Sequence, residues 1–146
     1  MSKRISFDTT IELRDTCLCL HVQQAARALA RRFDEALRPV GLTNRQFSLL
    51  MALNRPTPAS IAPVAELLAM DRTTLTAAIK PLERDGLVKV KPDPSDGRGR
   101  LLELTEAGHA VLRKALPIWR KMHAEVESSV TDVDVHDLRK GLRSLR

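Results

Sequence analysis

Two short apolar-periodic segments lie back to back between Ser60 and Gly86, and their punctuation constrains the fold more than any other feature of the chain. Ser60 can open a helix with Pro63 in its first turn, where a missing N–H costs little. Val64, Leu67 and Leu68 supply its core face, and it ends near Met70. Asp71 is a good N-cap for a second helix, from Arg72 to about Asp85, closed by Gly86. On a helical wheel Leu75, Ala78, Ile79 and Leu82 share one side and face a core. Arg72, Thr73, Thr76, Ala77 and Lys80 lie roughly opposite, a strip of short polar and basic side chains that lets the backbone approach a groove closely. Two short helices with a three-residue break form a helix-turn-helix. Pro81 is expected to bend or loosen the last turn.

What flanks this pair extends the pattern. The alternation Leu87-Val88-Lys89-Val90-Lys91 reads as a strand and Leu101-Leu102-Glu103-Leu104 as its partner, joined by a long flexible turn, Pro92 to Arg100, that carries Arg98 and Arg100. That hairpin reads as a wing. Ile11 to Val40 reads as one helix ended by Gly41, with Leu18, Val22, Leu29, Phe33 and Leu37 on one stripe and Leu13, Cys17 and Leu20 on the opposite side. Thr43 caps a further helix through Leu53, which Asn54 to Pro58 stops. Thr105 caps a long helix through Leu112, Leu116, Trp119, Met122 and Val126, with a kink at Pro117, and Asp132 to Leu145 adds a last helix.

The expected fold class is mainly α: a winged helix-turn-helix with long N- and C-terminal dimerisation helices and one β-hairpin wing. Residues 1–42 and 105–146 are the dimerisation helices and 43–104 the DNA-binding lobe, in one continuous chain forming a single structural domain. In a monomer the apolar faces containing Leu13, Leu20, Trp119, Leu138 and Leu142 would stay wet, which points to a homodimer.

The net charge of +6 favours a polyanionic partner. Aromatic residues make up only 3% of the chain and Tyr is absent, so a base-stacking platform has few residues to be built from, and duplex DNA fits better than single strands or RNA. Met1 to Asp8 lacks a signal peptide's apolar segment, and no stretch approaches the ~20 apolar residues of a bilayer span. The expectation is a cytoplasmic protein without a membrane partner, whose C-x-C pair, Cys17 and Cys19, holds reduced thiols. If helical, that spacing points the two thiols to opposite sides of the axis, so they do not bridge each other. No phosphate-cradling glycine loop, G-x-S-x-G elbow or H-E-x-x-H is present, so neither an enzyme nor a cofactor is expected. Cys17 and His21, at i and i+4, are too few ligands for a metal site, and His109, His123 and His136 show no motif spacing to them. The competing reading is an architectural protein that coats duplex DNA with weak sequence choice.

The sequence resembles the MarR family of winged helix-turn-helix transcription regulators. The residues that carry the resemblance are Gly41-Leu42-Thr43-Asn44-Arg45-Gln46-Phe47, Met70 to Thr76, Lys80 to Val88, the wing signature Asp96-Gly97-Arg98-Gly99-Arg100, and Leu104 to Gly108. The resemblance implies an obligate homodimer whose first and last helices intertwine, binding pseudo-palindromic double-stranded DNA. It implies that Arg72, Thr73, Thr74, Thr76 and Lys80 meet the major groove or its flanking phosphates, that Arg98, with Arg100 beside it, serves the wing in the minor groove, and that Asp96 holds the wing. Ala77 stands where many relatives carry arginine. Relatives are released from DNA by small phenolic or amphiphilic effectors, or by thiol oxidation. Thr16 to Leu20 is similar to the start of the organic-hydroperoxide-sensing branch, with Cys19 in the place of the sensing cysteine and Arg27 eight residues on. Cys19 and Cys17 are therefore the candidate redox sensors. The tyrosines that hold the thiolate in that branch are absent, with Asn44 and Phe47 nearest their positions.

Overall fold

Thr16 and Cys17 divide what periodicity presents as a single helix. The computed structural model describes residues 4–146, so residues 1–3 of the expected first dimerisation segment and of the N-terminal reading lie outside the described residues. Helix α1 (Phe7–Thr16) ends where Thr16 Oγ1 donates to Glu12 O at 2.7 Å and the Cys17 N–H reaches Leu13 O. Cys17 is extended (φ −72°, ψ 109°), and its Sγ accepts from Leu20 N at 3.4 Å as the cap of α2 (Leu18–Leu37). The expected continuous helix from Ile11 to Val40 is thus two helices and a 3-10 turn (Arg38–Val40), because side chains at 16 and 17 offer the backbone local partners that compete with helix continuation.

Downstream the caps fall where side-chain chemistry places them. Thr43 Oγ1 accepts from Gln46 N at 3.2 Å while Gln46 Oε1 accepts from Thr43 N at 3.0 Å, a reciprocal capping box that starts α3 (Asn44–Ala52). Strand β1 (Ala59–Ser60) leads into α4 (Ile61–Leu68), then come α5 (Arg72–Arg84), β2 (Val88–Asp93), β3 (Asp96–Leu104), α6 (Glu106–Ser128) and α7 (Val135–Arg143). The sheet order is β1-β3-β2, all antiparallel, with Ala59 opposite Leu102. No hydrophobic pattern announced so short a β1. The last helix starts later than Asp132, because Asp134 is the residue whose carboxylate accepts from Asp137 N. α5 and α6 run through Pro81 and Pro117, each of which removes one N–H from the helical ladder.

The core is apolar throughout, with Leu37, Leu49, Leu50, Val64, Leu75, Leu82 and Leu102 the most completely enclosed and no buried polar side chain among the described residues. Two junctions tie the lobe to the terminal helices. Asp34 on α2 accepts from both the backbone N and Nδ2 of Asn44 at 2.7 Å, pinning α2 to the start of α3. These bonds, the backbone one first, hold its carboxyl below the ordinary aspartate range. At the other junction Thr105 caps α6 and donates its hydroxyl to Gly86 O at 2.6 Å. Gly86 is left-handed (φ 75°), and a Cβ on Gly108 would collide with the Leu87 carbonyl, so α6 enters against bare backbone. α2 packs along α6, whereas α1 and α7 bury none of their residues. Phe7, Leu13, Leu18 and Leu142 remain exposed, while Leu20 and Trp119, expected wet in a monomer, are half-buried in their own chain.

Two outcomes follow for stability. Gly108→Ala lowers unfolding free energy by about 1–3 kcal/mol, read as a lower denaturation midpoint, because the added methyl must displace backbone. Asp34→Ala costs about 1 kcal/mol near neutral pH. Because the folded carboxyl titrates below its unfolded value of about 3.9, Asp34's contribution is complete above that value and is lost as pH falls through the depressed folded pKa. Wild type and variant therefore converge in stability under acid.

Candidate nucleic-acid interface

Leu75, Ile79 and Leu82 are buried, which turns Arg72, Thr73, Thr76, Ala77 and Lys80 outward along α5, and these five line one shallow surface depression of about 340 Å³. Asp71 fixes the start of this helix: its carboxylate accepts from Thr74 N at 2.7 Å and Thr74 Oγ1 at 2.8 Å, which holds it below the ordinary range. The Thr74 hydroxyl is thereby committed to the cap, and Thr74 lies off the outward strip, in a neighbouring cleft with Asn44 and Arg45. Thr76 Oγ1 donates to Arg72 O at 2.8 Å, leaving its oxygen and methyl exposed. Between α4 and α5 the chain turns at Ala69, whose φ of 52° is left-handed without being glycine.

The wing is tighter than the expected nine-residue flexible turn from Pro92 to Arg100, because the strands continue to Asp93 and from Asp96, leaving only Pro94 and Ser95 between them. Asp93 Oδ1 accepts from Ser95 N (2.9 Å) and Ser95 Oγ (2.8 Å), a side-chain-closed turn that a sequence reading for flexibility misses. Pro92 pairs with Arg100 but Asp93 pairs with Asp96, so Gly97, Arg98 and Gly99 bulge from β3. Arg98 stands in this bulge between two glycines, and Asp96 Oδ1 accepts from its N–H at 3.1 Å. A side chain at Gly99 would crowd the turn, since a Cβ would lie 3.2 Å from Asp96 Oδ2 and 3.3 Å from Asp93 Cβ. Arg100 turns back, donating to Gly99 O at 3.1 Å.

Away from this surface, the cysteines differ. Cys17 is half-buried and its Sγ caps α2; Cys19 is exposed, with Gln23 Nε2 donating to its Sγ at 3.0 Å and Arg27 donating to Gln23 Oε1 at 3.1 Å. The expected opposition of the two thiols around one helix does not apply, because Cys17 lies at the break. The Cys17 carbonyl accepts from His21 Nδ1 at 2.7 Å, so the ring turns to backbone rather than to the thiol. Sequence spacing also missed His123. It stacks on Trp119 (centroids 4.7 Å, 7°), Trp119 stacks on Phe47 (6.2 Å, 20°), and Glu127 Oε1 joins His123 Nε2 at 2.9 Å and Arg139 at 2.8 Å. Phe47, Ser48, Met51, Leu67, Leu116 and Trp119 wall an apolar pocket of about 350 Å³ between the lobe and α6.

A MarR family model matches residues 40–99. The chain is 36% identical to the transcriptional activatory protein BadR of Rhodopseudomonas palustris, over 95% of this chain and 83% of that protein. It is 30% identical to the multiple antibiotic resistance protein MarR of Escherichia coli, over 79% and 81% respectively. Among solved structures it is similar to the M. tuberculosis transcriptional regulator MosR in complex with DNA, with a TM-score of 0.82 and 40% identity over 89% of this chain and 93% of that one. With the capped helix pair, the three-stranded sheet with its hairpin wing and the long flanking helices all in place, the chain belongs to the MarR family of transcription regulators.

Proposed function

We propose that the protein is a homodimeric, sequence-specific double-stranded-DNA-binding repressor, released first by a small amphiphilic or phenolic effector and second by oxidation at Cys19. The observation that carries this reading is the outward strip of α5, polar and basic, set opposite a fully buried leucine and isoleucine stripe. Likeness to a regulator solved with DNA supports it. Residues 43–104 are the DNA lobe, and residues 1–42 and 105–146 form the dimer through the exposed faces of α1, α2 and α7. Arg72, Thr73, Thr76 and Lys80 meet the major groove and Arg98 the minor groove. Thr74 acts through the Asp71 cap, and Asp96 with Arg100 shapes the wing. The effector sits against Trp119, where a flat apolar ring can stack.

A dimer should place its two α5 helices in successive major grooves, on half-sites about 10 bp apart. Binding to the adjacent intergenic DNA should exceed binding to unrelated duplex by ~10³ or more; equal affinity would favour an architectural coat instead. Arg98→Ala should weaken all sequences and flatten the salt dependence by about one unit of slope, whereas Thr73→Ala and Thr76→Ala should relax preference at particular positions by ~1 kcal/mol.

Trp119 is the only tryptophan and the chain has no tyrosine, so its emission reports the pocket directly. Salicylate-like phenols should quench it and release DNA alike in wild type, Cys17→Ser and Cys19→Ser. Release by cumene hydroperoxide alone, lost only in Cys19→Ser, would invert the order of effectors.

A further inference from the structure

We infer that Arg45, with Ser48 one turn along α3, is a phosphate clamp that seats α5 against the rim of the major groove; the inference rests on the DNA-binding reading above and adds a contact from outside both the recognition helix and the wing. Arg45 is the second residue of α3 and is exposed. It takes part in none of the ion pairs among the described residues, which join Arg14 to Asp15, Arg84 to Asp85, Lys91 to Glu103, and Glu127 to His123 and Arg139. A cation in the first turn of a helix is opposed by the helix dipole. Asp34, whose Oδ1 accepts from the Asn44 backbone and side-chain amides, forms no ion pair with Arg45. An unpaired guanidinium in that position is suited to an anion that arrives from outside.

Its placement beside α5 says which anion. Arg45 lines two clefts along the same helix, one with Ala78 and Pro81 and the other with Asp71 and Thr74. Thr74, Ala78 and Pro81 fall at i, i+4 and i+7, so they mark one flank of α5, between its buried stripe and its outward strip. Arg45 therefore stands alongside two turns of the helix, a length of roughly 10 Å. An α-helix with its side chains is about 10–12 Å across and fills a major groove about 12 Å wide. What lies on the flank of a helix seated there faces the sugar-phosphate rim and not base edges. Ser48, at i+3 from Arg45, lines the same cleft and supplies a hydroxyl donor. Asp71 also borders that cleft; its two oxygens accept from Thr74 and keep their charge, which leaves the Arg45 and Ser48 side as the place for a phosphate. A bidentate guanidinium–phosphate contact at this point fixes how deep and at what angle α5 sits, without reading sequence.

The test measures affinity for the intergenic duplex and for an unrelated duplex across a salt series, using the full-length dimer and its Arg45→Ala, Arg45→Lys and Ser48→Ala forms. Arg45→Ala should lose about five- to tenfold at physiological salt on both duplexes alike and lower the log–log salt slope by about one. Arg45→Lys should retain the slope, and Ser48→Ala should leave it unchanged while weakening both duplexes by a common factor. Thermal unfolding of Arg45→Ala should be unchanged or higher, since a cation opposed by the dipole is removed, whereas a structural arginine would lower it. An Arg45→Ala protein with wild-type slope and affinity, or one whose loss is confined to the specific duplex, overturns the clamp while leaving the DNA-binding reading intact. A wild-type protein that binds neither duplex overturns both.

Discussion

The rotation of α5 about its own axis is the constraint on which the interface depends. Leu75, Ile79 and Leu82 are each 4% exposed or less, in a core with no buried polar side chain among the described residues to compete for position. Turning the helix by one residue would swing these side chains toward water at about 1.5–3 kcal/mol apiece and bring Thr74 or Thr76 into the core without a partner. The outward strip is thus oriented by what lies beneath it rather than by any contact it makes. The Asp71 cap then settles where the helix begins, and the left-handed residue at Ala69 settles the angle at which the chain enters it.

Much of this was legible in the sequence because it is local. Thr43, Asp71 and Thr105 cap by chemistry that operates over three residues, and the two faces of α5 follow from helical spacing. What escaped depends on geometry that spacing does not encode. Periodicity runs through Thr16 and Cys17 undisturbed, yet the competing bonds there are made by a hydroxyl and a sulfur that also occur inside helices. A run of Pro, Asp, Ser and Gly reads as flexible, but Asp93 closes a two-residue turn with it and a register shift displays Arg98. The β1 pairing, the Trp119–His123 stack and the position of Arg45 beside α5 join residues far apart in the chain, and only the folded arrangement brings them together.

The two terminal helices show the same limit from the other side. Their apolar residues announce a buried face, but a single chain buries none of α1 or α7. Phe7 at 74% and Leu18 at 70% exposure are far from the scattered surface leucines that any soluble protein shows, since they lie on consecutive helices with Leu13 between them. The sequence pattern calls for a cover over these faces; it does not say what supplies it.

The pocket at Trp119 connects these parts. Its outer wall is Trp119, backed by His123, which is held by Glu127, which in turn binds Arg139 on α7; its inner wall is Phe47, in the core of the lobe. Arg139 on α7 draws the Glu127 carboxyl below its usual range, with His123 adding to the effect, so the carboxylate stays charged across the working pH range. A ring that packs against both walls of this pocket touches the Trp119 stack on α6 and Phe47 on α3 at once. The stack is tied to α7 through Glu127, and α3 is the helix whose start is bound to Asp34 and whose flank borders α5. A cavity with one wall in the lobe core and the other tied to the terminal helices has a shape set by how those parts sit against each other, and a ligand shifts an equilibrium only between arrangements that it binds with different affinity.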